Sequence, residues 1–203
     1  MPAPDSPSRW SRRAPAIARW LHLYISFASC ALVLFFSITG LTLNHPDWFS
    51  STPTESSASG SLNPAWLTPP DERVARLEIA EFLRHQHHLS GTVADFRLDD
   101  EVCSLSFKGP ASSADISIQR ASGSYEINTS SMGLVALLND LHKGRDTPKS
   151  WSLVIDASAI LLILVSLSGI ILVLWMKRRR SSAFFLAAIA TILSIIAATL
   201  ATR

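Results

Sequence analysis

Residues 152–176 read SLVIDASAILLILVSLSGIILVLWM and run straight into Lys177, Arg178, Arg179 and Arg180. About 20 apolar residues suffice to cross a bilayer as a helix. Four cations at the end of the run fix that end in the cytoplasm by the positive-inside rule. Everything from its start back to the previous span then lies outside. Two more runs share this character, residues 21–43 and 183–201. Arg9, Arg12, Arg13 and Arg19 precede the first and place the N-terminus inside as well. That first run is too long for the apolar part of a signal peptide, and no small-x-small cleavage site follows Leu43, so it reads as a retained anchor. Arg12-Arg13 leads into Ala14-Pro15 rather than the bulky apolar residues of a twin-arginine signal.

The expected order is a cytoplasmic tail (1–16), a first membrane helix (17–44), a linker (45–67), a folded domain (68–150), a second helix (151–176), a cytoplasmic turn (177–182) and a third helix (183–201). The fold class is therefore membrane α-helical, three transmembrane helices with a small α+β domain inserted between the first two. The third helix emerges outside.

In the first span the spacing places His22, Ser26, Ser29, Val33, Ser37, Gly40 and Asn44 on one face. The second span offers Ser152, Asp156, Ala159 and Ser166, with Gly169 close by. Small residues let helices approach closely in lipid, so these faces are expected to pack on each other. Pro46 restricts His45 to extended geometry and stops the first helix near Asn44. Residues 50–63, SSTPTESSASGSLN, read as a hydroxyl-rich linker with nothing to bury.

Thr68-Pro69-Pro70-Asp71 has the form of a helix start, and the helix it opens runs to His88 with Ala75, Ile79, Phe82 and Leu83 on one face. The period then falls to two. Residues 93–98, 102–107, 115–119 and 125–128 read as strands, with turns at Asp99-Asp100 and Ala121-Ser122-Gly123. Ser130 or Ser131 is expected to cap a last helix through Leu134, Leu138 and Leu141, and Gly144 stops it.

A net charge of +2 does not point to nucleic acid. Cys30 lies in a span and Cys103 in the domain, so they cannot pair, and there is no CxxC. The chain carries no nucleotide loop, flavin fingerprint or catalytic triad.

The stretches RWLHLYISFASCALVLFFSITGLTLNHP and LNDLHKGRDTPKSWSLVIDASAILLILVSLSGIILVLWMKRR resemble the first and second membrane segments of PepSY-associated transmembrane proteins. The helix and meander between them look like one PepSY-type unit. The resemblance covers most of residues 19–180 and is most specific over 138–151. It implies a bacterial inner-membrane location with the domain in the periplasm. Larger relatives look like haem proteins that reduce iron–siderophore complexes at the periplasmic face. PepSY units elsewhere act as interaction or protease-inhibiting modules.

That resemblance directs attention to the histidines. A b-type haem takes two axial imidazoles, and His45 and His142 both belong at the outer membrane face. Asp156 and Arg145 are candidates to orient a ligand or pair with a haem propionate. The competing reading makes both histidines interfacial and bonded only to nearby groups. His22 lies about 34 Å from His45 along a straight helix, so it serves a haem only in a homodimer. His85 and His88 sit one turn apart and are candidate metal ligands, against a reading as the polar end of a helix. Asp156 is a carboxylate within a span, which marks it either for function or for pairing with Lys149, Arg145 or a hydroxyl. Two functions compete. One is a haem-binding redox accessory in iron or siderophore handling. The other is a non-enzymatic, membrane-anchored interaction module whose domain binds a periplasmic protein.

Overall fold

The computed structural model describes residues 9–49, 52–67, 74–176 and 178–202. In chain order the elements are α1 (Arg9–Asn44), β1 (Thr54–Ser61), α2 (Arg76–His87), β2 (Thr92–Leu98), β3 (Val102–Gly109), β4 (Ser112–Gln119), β5 (Ser124–Ser131), α3 (Gly133–Lys143), α4 (Lys149–Trp175) and α5 (Arg180–Ala201). Three helices, α1, α4 and α5, are long and apolar enough to cross a membrane. The chain divides into two units, residues 1–33 with 157–203, and residues 34–156.

The first unit holds most of the apolar helix length. Its covered positions on α1 include His22, Ile25, Ser26, Ser29 and Leu32, and on α4 they include Ser158, Leu161, Leu162, Val165, Ser168 and Gly169. These recur at alternating steps of three and four, the 3.5-residue period of a left-handed helix pair. This corrects the two expected stripes in part, since His22, Ser26, Ser29, Gly40 and Gly169 are covered. Val33 and Ser37 on α1, and Ser152, Asp156, Ala159 and Ser166 on α4, are exposed. On α1 the expected stripe steps at about 3.7 residues and leaves the covered face at Val33 and Ser37 before meeting it again at Gly40; on α4 it has the 3.5-residue period but the wrong phase. Ser29, Ser158 and Ser168 are buried on it instead, and Ser29 and Ser168 return their hydroxyl protons to Ile25 O at 2.6 Å and Val165 O at 2.8 Å.

In the second unit a five-stranded antiparallel sheet has the order β1-β5-β4-β3-β2. Period-two alternation sends Cys103, Leu105 and Phe107, Ala114, Ile116 and Ile118, and Tyr125 and Ile127 to one face. There they meet Ile79, Ala80 and Leu83 of α2, with Leu62, Leu67 and Leu89 closing the margins. The other face is exposed and polar, as a one-sided antiparallel sheet allows. One row across it reads Asp95, Ser106, Asp115, Asn128, Ser57.

Two expectations fail here. Residues 54–61 are not linker. They form the edge strand β1, paired with β5 in unbroken register from Thr54↔Ser131 to Ser61↔Ser124. Ala58 packs on the core, and Gly60 lies where any Cβ would strike the Tyr125 hydroxyl. Nor do Ser130 and Ser131 cap α3. Both belong to β5, and Met132 takes the N-cap position. The expected helix start at Thr68–Asp71 lies outside the described residues, and α2 is described from Arg76. Gly123 and Gly144 adopt φ of 73° and 66°, as their turn and cap require.

Candidate functional site

His142 stands in the last turn of α3, within the second unit. α3 presents Asn139 and His142 to the end of α1. Asn139 Oδ1 accepts from the Thr42 hydroxyl at 2.6 Å. The His142 ring meets Phe36 edge-on at 5.0 Å between centroids and lies over Gly40, where only a methyl-sized gap remains. Its Nδ1 is 2.6 Å from Thr39 Oγ1.

The proton assignment in that bond follows from the threonine. Thr39 is buried, and its hydroxyl donates to Phe35 O at 2.6 Å. With that proton assigned to Phe35 O, Oγ1 accepts from His142 Nδ1–H, and in the neutral ring this leaves the lone pair on Nε2. A hydrogen bond to one ring nitrogen that leaves the other basic is how proteins orient a ligating imidazole.

Further bonds hold this corner of the second unit together. Asp140 Oδ2 accepts from the backbone N–H of Ala111 at 2.9 Å, and Ala111 is held at φ 52° in the two-residue turn between β3 and β4. Arg145 lies 3.9 Å from Asp140, so it already faces a carboxylate. Trp151 Nε1 donates to Leu141 O at 2.8 Å, a carbonyl at the end of α3 that also accepts the Gly144 N–H at 3.3 Å. Ile155 packs on Gly144.

His22, in the first unit, repeats the device of His142. Ser168 spends its proton on Val165 O, so its oxygen accepts from His22 Nδ1–H at 2.8 Å. Ser26 Oγ stands 3.5 Å from Nε2, and Gly169 gives the ring its space.

The remaining candidates sit apart from these. His45 follows the end of α1, stacks on Trp48 at 3.9 Å and 7°, and lies 3.3 Å from the Asn44 amide. Asp156 is exposed on α4. His85 and His88 are exposed, and His88 takes the left-handed cap of α2 at φ 52°. It is the histidine between them that is engaged: His87 Nε2 bonds the Tyr125 hydroxyl at 2.8 Å. Among the described residues no three of His, Cys, Asp and Glu are grouped as a metal would need. Thr39, Thr42, Asn139, Asp140 and Ser168 were not singled out from sequence. A hydroxyl four residues beyond a helix carbonyl is an ordinary feature, and its partner 103 residues away is invisible to local pattern.

No curated protein and no solved structure matches this chain. One family does, described as PepSY_TM-like, over residues 16–202. The match takes in all three membrane-length helices and the whole sheet domain, and the chain belongs to the PepSY_TM-like family.

Proposed function

We propose that this protein is a haem-binding redox accessory of the bacterial inner membrane, working in iron or siderophore handling. The observation that carries the reading is the 2.6 Å approach of Thr39 Oγ1 to His142 Nδ1, which in the neutral ring leaves the lone pair on Nε2, without a partner among the described residues. Neutral imidazole presenting one lone pair is the donor an axial haem site requires. His45 of the same unit supplies the second axial nitrogen, and to do so it leaves its stack on Trp48. His22 is held in the same tautomer by Ser168 and serves a second haem only in a homodimer. Haem, when bound, supplies one-electron chemistry. The chain's own part is to orient the imidazoles and to hold the site against the membrane helices through Thr42–Asn139 and Trp151–Leu141. In this reading Arg145 and Asp156, both exposed, are the candidates to meet propionates or to orient a ligand. The cation blocks around residues 9–19 and 177–180 support a cytoplasmic N-terminus, with the sheet domain and C-terminus in the periplasm.

The test is the haem content of protein purified from haem-replete cells. His142→Ala should lose haem, Thr39→Val should retain it with an altered spectrum, and His22→Ala should spare it in a monomer. Retention of full haem by His142→Ala would remove His142 as the ligand.

A further inference from the structure

The two edges of the sheet are built differently. β2 is blunted: its register breaks between Val93 and Asp95, and Asp95 and Arg97 pair along it at 3.6 Å. Bulges and edge charges are how native sheets refuse another strand. β1 has no bulge, and its one charge is Glu55. It is eight residues long, carries no proline, lysine or arginine, and keeps register throughout. Among the described residues, its outward N–H and C=O groups have no partner strand.

The side chains around β1 say what kind of strand would suit it. On the polar face, Ser57 and Ser59 are too short to cover the floor next to them. A hollow of about 340 Å³ lies there, lined by Ser57, Ala58, Ser59 and Glu126. Glu126 is directly opposite Ser59, and Glu55 stands on the same face of β1. Both carboxylates are exposed, and neither is in an ion pair among the described residues. On the other face a cleft is lined by Thr54, Ser56, Ser112 and the end of α2 at His87 and His88. A strand laid on β1 would send alternate side chains to these two faces. On the polar face a long cationic side chain would lie across Ser59 and reach Glu126. On the cleft face a short hydroxyl would meet hydroxyls and imidazoles.

We infer that β1 is a docking edge for an extended segment of a partner protein that carries basic residues at alternate positions. The segment adds a sixth strand to the sheet. A second copy of this chain fits less well. Antiparallel pairing of two β1 strands would bring two Glu55 and two Glu126 onto one face, with no cation on β1 or β5 to oppose them. The inference does not depend on haem.

The full chain in nanodiscs is titrated with a synthetic octapeptide of alternating arginine and threonine. Saturable binding is expected, with slowed amide exchange across residues 54–61. A backbone N-methylated version keeps its charge but cannot pair, and should not bind. An octapeptide of alternating glutamate and threonine should also fail. Glu126→Gln should weaken binding about fivefold, the scale of one exposed ion pair. Equal binding of the N-methylated peptide would overturn strand addition. So would the absence of any saturable binding, or disulfide-linked dimers of Ser57→Cys chains forming in membranes.

Discussion

Thr39→Val isolates the bond that carries the functional reading. Valine keeps the β-branched shape in a position that is only 2% exposed, so packing and helix preference change little. What goes is one oxygen with two roles. Its donation to Phe35 O at 2.6 Å is dispensable, since that carbonyl keeps its helical N–H partner. Its acceptance from His142 Nδ1–H at 2.6 Å is not replaced. A buried donor stripped of its acceptor costs about 1–3 kcal/mol. His142 is half-buried and water can reach part of the ring, so the lower end applies, about 1 kcal/mol. A double-mutant cycle of Thr39→Val with His142→Ala, by reversible unfolding in detergent, should give a coupling of about 1 kcal/mol. Nitrogen NMR of the imidazole should show the Nδ1–H tautomer in the wild type and a mixture in Thr39→Val. A coupling indistinguishable from zero, or an Nε2–H wild type, would refute the tautomer assignment.

Other outcomes follow from the second unit. Phe107→Ala empties the centre of the core beneath the Arg84 guanidinium and should cost about 3–5 kcal/mol in a denaturant titration. Gly60→Ala drives a methyl group into the Tyr125 hydroxyl; it should lower the unfolding midpoint, and Gly60→Ala with Tyr125→Phe should recover part of the loss. Burial raises the Cys103 thiol, with Arg120 and Arg76 pulling the other way more weakly, and burial alone raises the Tyr125 phenol. Both groups must stay neutral in the folded domain. Their contribution is thus complete below the ordinary thiol and phenol ranges and is lost as pH rises through the raised values. Unfolding followed against pH should show stability falling above about pH 9, less steeply in Tyr125→Phe. Reporter fusions within residues 50–53 and after Arg180 should report opposite sides of the membrane.

Much of the architecture was legible because it rests on strong local signals. The three apolar runs, the amphipathic face of α2 through Ile79 and Leu83, the alternation in β2 to β5, and the glycines at 123 and 144 each follow from period or from backbone freedom. β1 was not legible. TESSASGS has scarcely any β-branched or aromatic content, and it is a strand because β5 pairs with it, which propensity cannot report. The membrane seam was misread on α1 because small residues were followed at a period near 3.7 rather than 3.5, and on α4 because the 3.5-residue stripe was set in the wrong phase. Leu32, Phe36 and Leu43, all bulky, stand on the covered side of α1 in their respective units. At the candidate site, His142 was legible as a residue but not as a tautomer. Its chemistry is set by Thr39, and that pairing exists only once α3 is folded against the end of α1.

The most direct test is the reduced-minus-oxidised absorption spectrum of membranes from haem-replete cells expressing the wild-type chain. A b-type α-band in proportion to the protein, absent from His142→Ala membranes of equal protein content, is predicted. A wild-type spectrum with no such band would contradict the haem reading and leave His142 as the polar clamp between α3 and α1.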